Sequence, residues 1–293
     1  MIVSIVIRTL NESRYLGELL EAIQRQQVNG FTVETVVIDS GSTDGTLEIA
    51  KQYGCTITHI TRDQFSFGRS LNWGCEAAQG DILVLISGHC VPTDSQWLQT
   101  LCEPIAQEKV HYTYGRQIGG THTRFSENRI FAKYFPDQTS LPQEGFFCNN
   151  ANSALARSAW AQHKFDEEVT GLEDMELAQR LHRTGARIGY VAEACVFHYH
   201  AESWPHVRRR FEREALALQK IMPQVHVTLF DTVRYIFTSI WRDWGNARRQ
   251  GRWREKAWEI VLYRYNQYLG SYRGNHQHRK LSHAEKDKYF YPH

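Results

Sequence analysis

The sequence predicts an α/β fold, with a mostly parallel, twisted sheet flanked by helices and a C-terminal helical extension. Strand and helix signals alternate regularly up to about residue 115, which is typical of βαβ units. Hydrophobic residues make up 42% of the 293 residues, so the chain can bury a full core and does not belong to the disordered class. From residue 201 onward the signals are helical almost throughout. We therefore expect two parts, residues 1–200 and residues 201–293.

The individual elements follow from apolar periodicity. Runs of β-branched and apolar residues predict strands at 2–7, 35–38, 56–60, 82–86 and 110–114. Apolar residues at helical spacing predict helices around 16–23, 47–53, 70–78 and 95–107. Residues 116–145 are polar and aromatic with two prolines, which predicts a long functional loop. A further helix ends at Gly185 and precedes a last strand.

Charge is divided unevenly between the two parts. Residues 201–293 contain 18 Lys or Arg and 9 Asp or Glu, a net charge of +9, whereas residues 1–200 contain 16 and 23, a net charge of −7. No apolar run approaches the ~18 residues of a membrane span, and the first residues lack a signal-peptide pattern. The six cysteines are scattered without a CxxC pair, as in reduced cytosolic proteins. We expect a cytoplasmic protein that is soluble or peripheral to a membrane.

The segment VIDSGSTDGT, residues 37–46, joins a buried strand to a helix, and α/β proteins build nucleotide pockets at such turns. Polar residues that follow the first two strands are candidates to hold a base and a ribose: Thr9, Asn11, Glu12, Asp39, Ser42 and Asp44. Asp39 either accepts a hydrogen bond from a base N–H or only forms the turn. The absence of GxGxxG after the first strand and of a P-loop motif excludes dinucleotide-binding dehydrogenases and P-loop NTPases.

Five segments in order resemble a family 2 glycosyltransferase with the GT-A fold, over roughly residues 1–200. They are SIVIRTLNE, VVIDSGSTDGT, FSFGRSLNWGCEAAQGDILVLI, FFCNNANSALARSAW and GLEDMELAQRLHRTGARIGYV. The pattern is most similar to bacterial enzymes that extend surface polysaccharides, including rhamnosyltransferases. The resemblance implies inverting sugar transfer from a nucleotide-sugar donor to a hydroxyl of a capsule, O-antigen or exopolysaccharide, or of its lipid-linked precursor. It places the enzyme in the bacterial cytoplasm or on the inner face of the cytoplasmic membrane.

The resemblance also assigns roles within the site. Asp174 matches the general base of the family's ED motif, and Glu173 is expected to orient the acceptor. The dipole of the helix that starts there is expected to favour ionised Asp174. Further expected site residues are Arg69 and Asn72 for the nucleotide, with Arg69 facing the diphosphate, and Asn149 and Asn150 for the acceptor.

One motif departs from the family. The DxD whose carboxylates hold Mg²⁺ or Mn²⁺ is replaced by Ser87-Gly88-His89, which should bind a hard cation less tightly. Either a metal is held with help from His198 and His200, or none is used, and His89 could also be only a turn residue. A non-catalytic sugar-nucleotide-binding or scaffold protein is therefore the alternative. A carboxylate at position 39 favours UDP or dTDP donors, with GDP, CDP or CMP remaining open, and no nucleic-acid motif is present.

The C-terminal part is aromatic and basic. Five of the eight tryptophans follow residue 200, and eight apolar residues form a helical stripe: Leu229, Phe230, Val233, Ile236, Phe237, Ile240, Trp241 and Trp244. Arginines lie between and beside them. The stripe predicts either helices that pack on the catalytic domain or a surface that contacts anionic lipid.

Overall fold

A computed structural model describes residues 1–200, 202–276 and 289–290. The chain divides into two compact units. The first comprises Met1–Gly120, Tyr134–Glu168 and Glu173–Tyr199. The second comprises Thr121–Lys133, Val169–Leu172 and the described residues from His200 onward. Two short segments of the N-terminal 200 residues thus belong to the same unit as the C-terminal helices.

The helices and strands alternate as in an α/β protein. In chain order they are β1 Ile2–Thr9, α1 Ser13–Gln24, β2 Thr32–Asp39, α2 Thr46–Gln52, β3 Thr56–His59, α3 Phe67–Ala77, β4 Ile82–Ser87, β5 Cys90–Pro92, α4 Trp97–Ala106, β6 Tyr112–Gly119, α5 Phe125–Tyr134, β7 Asn152–Ala156, α6 Arg157–His163, α7 Glu173–Arg183, β8 Ile188–His198, α8 Trp204–Ile221, α9 Leu229–Arg249 and α10 Trp253–Asn275. The predicted α/β class is confirmed.

The strands of the first unit form one mixed sheet in the order β3-β2-β1-β4-β7-β6-β8-β5. Strands β3, β2, β1 and β4 are parallel, as predicted. The other half is mixed because β7 lies antiparallel between β4 and β6. In register, Thr9 pairs with Asp39, and Arg8 pairs with Ser87. The carboxyl ends of β1, β2 and β4 therefore meet at one edge of the sheet, where Asn152 at the start of β7 also lies, opposite Ile86.

The core of the first unit lies on both faces of the parallel strands. Residues Val3 to Ile7 of β1 are all buried, as expected for a strand covered by helices on both sides. Leu16, Leu19 and Leu20 of α1 are buried in the cluster that includes Trp97 of α4. Each such apolar side chain contributes about 1.5–3 kcal/mol when fully buried. This packing fixes the strand ends that carry the polar loops.

The prediction of a long loop over residues 116–145 is wrong in part. Strand β6 continues to Gly119, and α5 spans Phe125–Tyr134. The helix was missed because two of its buried residues are polar: Ser126 donates to Asp243 at 2.7 Å, and Glu127 accepts from Arg210 at 2.6 Å. Buried polar groups with partners inside the protein do not produce an apolar stripe in the sequence.

The second unit is helical. Helices α8 and α10 approach closely where Gly270 and Gly274 face the backbone of α8; a Cβ at Gly274 would lie 2.0 Å from the carbonyl oxygen of Glu212. Helix α9 begins with a capping box between Thr228 and Asp231. No helix among the described residues is long and apolar enough to cross a membrane.

Candidate active site

Asp39 organises the turn after β2. Its carboxylate is almost fully buried and accepts four hydrogen bonds. Oδ2 accepts from the backbone N–H groups of Gly41 and Ser42 at 2.9 Å each. Oδ1 accepts from the hydroxyls of Thr9 at 3.1 Å and Ser42 at 2.5 Å. Four donors fill the acceptor positions of a carboxylate, so an incoming base would have to share or displace one, and base recognition by Asp39 stays a prediction.

The loop after β1 and the loop after β2 are tied together by reciprocal hydrogen bonds. The Asn11 N–H donates to Ser42 Oγ at 2.8 Å, and Asn11 Oδ1 accepts from the Thr43 N–H at 2.9 Å. Asp44 Oδ2 accepts from the N–H of Ser13 at 3.1 Å, at the start of α1. The structure thus brings together the polar residues predicted from the first two strand ends.

The Ser87-Gly88-His89 turn lies against the loop after β1. His89 Nδ1 is 2.7 Å from Glu12 Oε1. The turn is compact, since a Cβ at Gly88 would lie 2.9 Å from Glu12 Cγ. Strand register sets Ser87 beside Arg8. The Ser87-Gly88-His89 turn therefore lies at the same sheet edge as the predicted nucleotide loops.

His198, at the end of β8, stacks against His89. The two imidazole rings stack with centroids 5.1 Å apart and an interplanar angle of 24°. His198 Nδ1 is 2.7 Å from Gln117 Oε1, and Gln117 Nε2 donates to Asn149 Oδ1 at 2.9 Å. A chain of contacts thus connects the histidine pair to the residues that precede β7.

The histidine pair suits a transition-metal cation better than Mg²⁺. When Nδ1–H donates to an oxygen, as toward Glu12 and Gln117, the lone pair lies on Nε2, which is the usual arrangement in histidine ligands. Imidazole nitrogen is accepted by first-row transition metals, whereas Mg²⁺ demands oxygen ligands. A cation held at this turn would thus be bound by imidazole nitrogen atoms, and this metal role stays a prediction.

His200 belongs to the second unit. Its Nδ1 lies 2.7 Å from Glu127 Oε1, and Glu127 also pairs with Arg210 at 2.6 Å. Burial raises the pKa of Glu127, but the charges of His200 and Arg210 outweigh it and lower the pKa to about 2. A role of His200 in metal binding stays a prediction.

Glu173 and Asp174 open α7, as the sequence predicted. Both carboxylates are buried. Asp174 Oδ2 accepts from the Asn150 N–H at 2.9 Å, and Oδ1 accepts from the Met175 N–H at 2.7 Å. Glu173 Oε1 lies 3.4 Å from Arg8 Nη1. The ED pair is thereby held between β1 and the segment that leads into β7.

The expectation that the helix N-terminus favours ionised Asp174 is not met. Burial and the neighbouring Glu173 carboxylate raise the pKa of Asp174 to about 7, although the N–H groups of Asn150 and Met175 and the charge of Arg8 act in the opposite direction. Desolvation of a buried carboxyl group exceeds the stabilisation that a helix terminus provides. Asp174 therefore changes charge near neutral pH instead of staying ionised.

Asn149 and Asn150 have different partners. Asn149 Oδ1 accepts from Gln117 and from the Ala151 N–H. Asn150 Oδ1 accepts from Tyr112 Oη at 2.5 Å and from Ser153 Oγ at 2.9 Å. The buried Nδ2 of Asn150 has no hydrogen-bond partner among the described residues. A buried donor without a partner, in a residue whose backbone N–H is bonded to Asp174, is compatible with a contact to an acceptor hydroxyl, and that contact stays a prediction.

Asn72 is fully hydrogen-bonded within the protein. Its Nδ2 donates to the Phe165 carbonyl and to Glu167, each at 3.0 Å, and its Oδ1 accepts from the N–H groups of Phe165 and Trp160. All four positions of this buried amide are used inside the protein. Asn72 therefore holds the 160–167 segment against α3, and its predicted contact with the nucleotide stays a prediction.

Arg69 is already engaged. Its Nε donates to Glu167 at 2.6 Å and its Nη1 to the Gln64 carbonyl at 2.7 Å. A diphosphate would have to compete with Glu167 for this guanidinium, and the ion pair is half-exposed. The expected contact with the diphosphate stays a prediction.

Sequence reasoning missed Arg8. Its guanidinium lies 4.6 Å from the centre of the Phe67 ring and beside Glu173. The signal was present, because Arg8 is the one charged residue in the otherwise apolar or small strand IVSIVIRT. A cation at the end of a buried central strand costs free energy, and such a residue is tolerated where it has a function or a partner.

Comparisons with known proteins identify the family of the chain. The Glycosyl transferase family 2 model matches residues 4–163, just over half of the chain. The O-antigen chain rhamnosyltransferase RfbN of Salmonella typhimurium is 26% identical over 266 residues, covering 86% of this chain and 78% of that protein.

Solved structures show the same fold. The mannosyltransferase PcManGT of Pyrobaculum calidifontis, in complex with GDP-Man and Mn²⁺, has a TM-score of 0.59 at 18% identity, covering 91% of this chain and 69% of that one. Glucosyl-3-phosphoglycerate synthase of Mycobacterium tuberculosis, in complex with Mg²⁺ and UDP, has a TM-score of 0.56 at 18% identity, covering 75% and 78%. At these identities the likeness concerns the fold.

Proposed function

Because this chain belongs to glycosyltransferase family 2, we propose that it inverts the anomeric centre of a nucleotide-sugar donor, with Asp174 as general base. The observation that carries the proposal is the buried Asp174 carboxylate at the start of α7, held by the Asn150 N–H at 2.9 Å. A base works best when its pKa lies near the operating pH. Burial and Glu173 raise the pKa of Asp174 to about 7, which meets that condition.

The proposed reaction is a single displacement. Asp174 takes the proton of the acceptor hydroxyl as its oxygen attacks the anomeric carbon, and the bond to the nucleoside diphosphate breaks on the opposite face. The transition state has oxocarbenium character. The buried Nδ2 of Asn150 would donate to the acceptor, and Glu173 would orient it. The proton ends on Asp174, whose raised pKa favours holding it.

The leaving diphosphate needs positive charge near the turn that replaces DxD. Arg8 provides it, because strand register sets this residue beside Ser87. Its contact with Glu173 is long, 3.4 Å, so the guanidinium can also face a phosphate. Cations that are already positioned where negative charge develops contribute strongly to the stabilisation of the transition state. A divalent cation held by His89 and His198 would supply further charge to the same phosphates.

The relatives support the proposed acceptor, and the carboxylate of Asp39 supports the proposed donors. Similarity to an O-antigen rhamnosyltransferase supports a surface polysaccharide, or its lipid-linked precursor, as acceptor. UDP and dTDP sugars are the favoured donors, and GDP or cytidine nucleotides are the alternatives. The proposed location is the cytoplasm, at the inner face of the membrane when the acceptor is lipid-linked.

A nucleotide panel tests the proposal. Thermal unfolding is measured with UDP, dTDP, GDP, CDP and CMP, each with and without Mn²⁺, since a ligand that binds the folded state raises Tm. Sugar release from the best donor is then measured for the wild type and for Asp174→Asn. We expect one nucleotide class to raise Tm and the substitution to lower turnover by roughly 10²–10⁴-fold. No turnover of any donor, together with nucleotide binding, would instead support the non-catalytic alternative.

A further inference from the structure

Helix α9 presents an exposed aromatic row. Phe230, Phe237 and Trp241 are 76%, 69% and 75% exposed. Spacings of seven and four residues set the three side chains on one face of the helix. Val233, also exposed, extends the same row. Large aromatic side chains grouped on one helix face are uncommon on the surface of a protein that contacts only water.

The row is separate from the packing face of α9. Ile240 and Ala247 are buried in an apolar cluster of the second unit with Ile260, and Ile236 and Trp244 pack against that cluster. The apolar stripe that the sequence predicts as one surface is therefore divided between two sides of α9. One side packs within the second unit, and the aromatic row faces outward.

The exposed side of α9 is also basic. Arg234, Arg242, Arg248 and Arg249 are exposed. The two acidic residues of the helix are engaged: Asp231 belongs to the capping box, and Asp243 is buried and bonded to Arg264 at 2.8 Å. The outward surface thus combines aromatic rings with guanidinium groups, the composition of helices that lie in the interface of a bilayer.

We propose that α9 rests on an anionic lipid bilayer. In this arrangement Phe230, Phe237 and Trp241 enter the boundary between headgroups and acyl chains, and the arginines contact headgroup phosphates. Charge complementarity favours this occupant over a second copy of the chain, because a two-fold interface on the same face would bring like arginines together. This lipid contact specifies how the protein would reach the membrane location given under the proposed function. Its link to a lipid-linked acceptor rests on that proposed function. The contact itself requires no substrate.

Vesicle co-sedimentation of the full chain tests the lipid contact. Phosphatidylcholine vesicles are compared with vesicles that also contain phosphatidylglycerol, at low and high salt. We expect binding to the anionic vesicles to exceed binding to the neutral ones by about tenfold and to weaken with salt. Equal binding to both, or none, would overturn the proposal.

Two variants locate the surface. Phe237→Ala/Trp241→Ala should reduce binding to anionic vesicles by about tenfold or more. The matched control Trp258→Ala removes an equally exposed tryptophan of α10, 70% exposed, and should leave binding within a factor of about two. An equal loss in both variants would contradict the assignment to α9. So would a wild-type dimer in solution that the double substitution converts to a monomer.

The readout separates this inference from the proposed function. Vesicle binding needs neither donor nor acceptor, so its failure would leave sugar transfer to a soluble acceptor unaffected. The double variant should also keep the Tm increase that the best nucleotide produces, which shows that the loss of lipid binding is not a loss of folding.

Discussion

The backbone N–H of Asn150 donates a 2.9 Å hydrogen bond to Oδ2 of Asp174. This bond fixes the carboxylate at the start of α7 against the segment that leads into β7. The same residue leaves its buried Nδ2 without a partner among the described residues. The proposed base and the Nδ2 hydrogen-bond donor of Asn150 are thus fixed close together, and burial makes the Asp174 carboxyl group reluctant to ionise.

Removal of the Asp174 charge should stabilise the protein. Burial and Glu173 raise the pKa of Asp174 to about 7, so above that pH the folded state contains a charge that the unfolded state hydrates more easily. Asp174→Asn should raise Tm at pH 8. The gain in the free energy of unfolding should be a few kcal/mol at most, reduced by the cost of losing one hydrogen-bond acceptor. Thermal unfolding at pH 8 and pH 5 measures this, and the gain should shrink at pH 5. A variant less stable than the wild type at both pH values contradicts the assigned burial cost.

The pH dependence of stability has a definite sign. An unfolded aspartate titrates near pH 4, whereas burial and Glu173 raise the pKa of folded Asp174 to about 7. Between these values the folded state binds more protons, so this group lowers the free energy of unfolding as pH rises. Activity should change in the opposite direction, with kcat/KM rising through about pH 7 as the base ionises. A rate profile that is flat from pH 5.5 to 8.5, an interval of about three units around the pKa, would exclude Asp174 as the titrating base.

Asp39→Asn tests whether this residue forms the turn, recognises the base, or does both. An amide supplies one acceptor atom where the carboxylate now accepts four hydrogen bonds, and hydrogen bonds to a charged group contribute roughly 1.5–3 kcal/mol each. We expect a lower Tm without nucleotide and weaker binding of every nucleotide. An unchanged Tm combined with a loss limited to uridine and thymidine nucleotides would show base recognition instead.

His89→Ala tests the metal chemistry of the turn. In the presence of UDP the substitution should weaken Mn²⁺ binding by about tenfold, the usual effect of a lost ligand or its support, as measured by the electron paramagnetic resonance signal of free Mn²⁺. His198→Ala should weaken Mn²⁺ binding to a similar extent, since the centroids of the two stacked rings are 5.1 Å apart. His182→Ala, which changes an exposed histidine at the end of α7, is the control. Equal Mn²⁺ binding in all three variants would exclude the histidine pair as ligands.

The edge of the sheet where the site lies could be predicted from the sequence. Parallel strands bring their carboxyl ends together, so the motifs after β1, β2 and β4 had to be neighbours. The ED motif, by contrast, was identified through the resemblance to family 2 glycosyltransferases.

Other features depend on tertiary contacts that no local pattern records. Asn72 is polar and lies next to a motif, yet all its hydrogen bonds are internal. The raised pKa of Asp174 arises from burial and from the charge of Glu173, not from the helix that the sequence shows. The stripe on α9 could not be divided into a packed and an exposed side until the positions of its neighbours were known.

The rate of sugar transfer by Asp174→Asn tests whether Asp174 is the general base. An amide is close in shape to the carboxyl group but cannot accept the proton, so we expect kcat to fall by roughly 10²–10⁴-fold. The Tm increase caused by the nucleotide should be unchanged, because Asp174 does not hold the donor. Transfer within about threefold of the wild type would contradict the assignment of Asp174 as the general base.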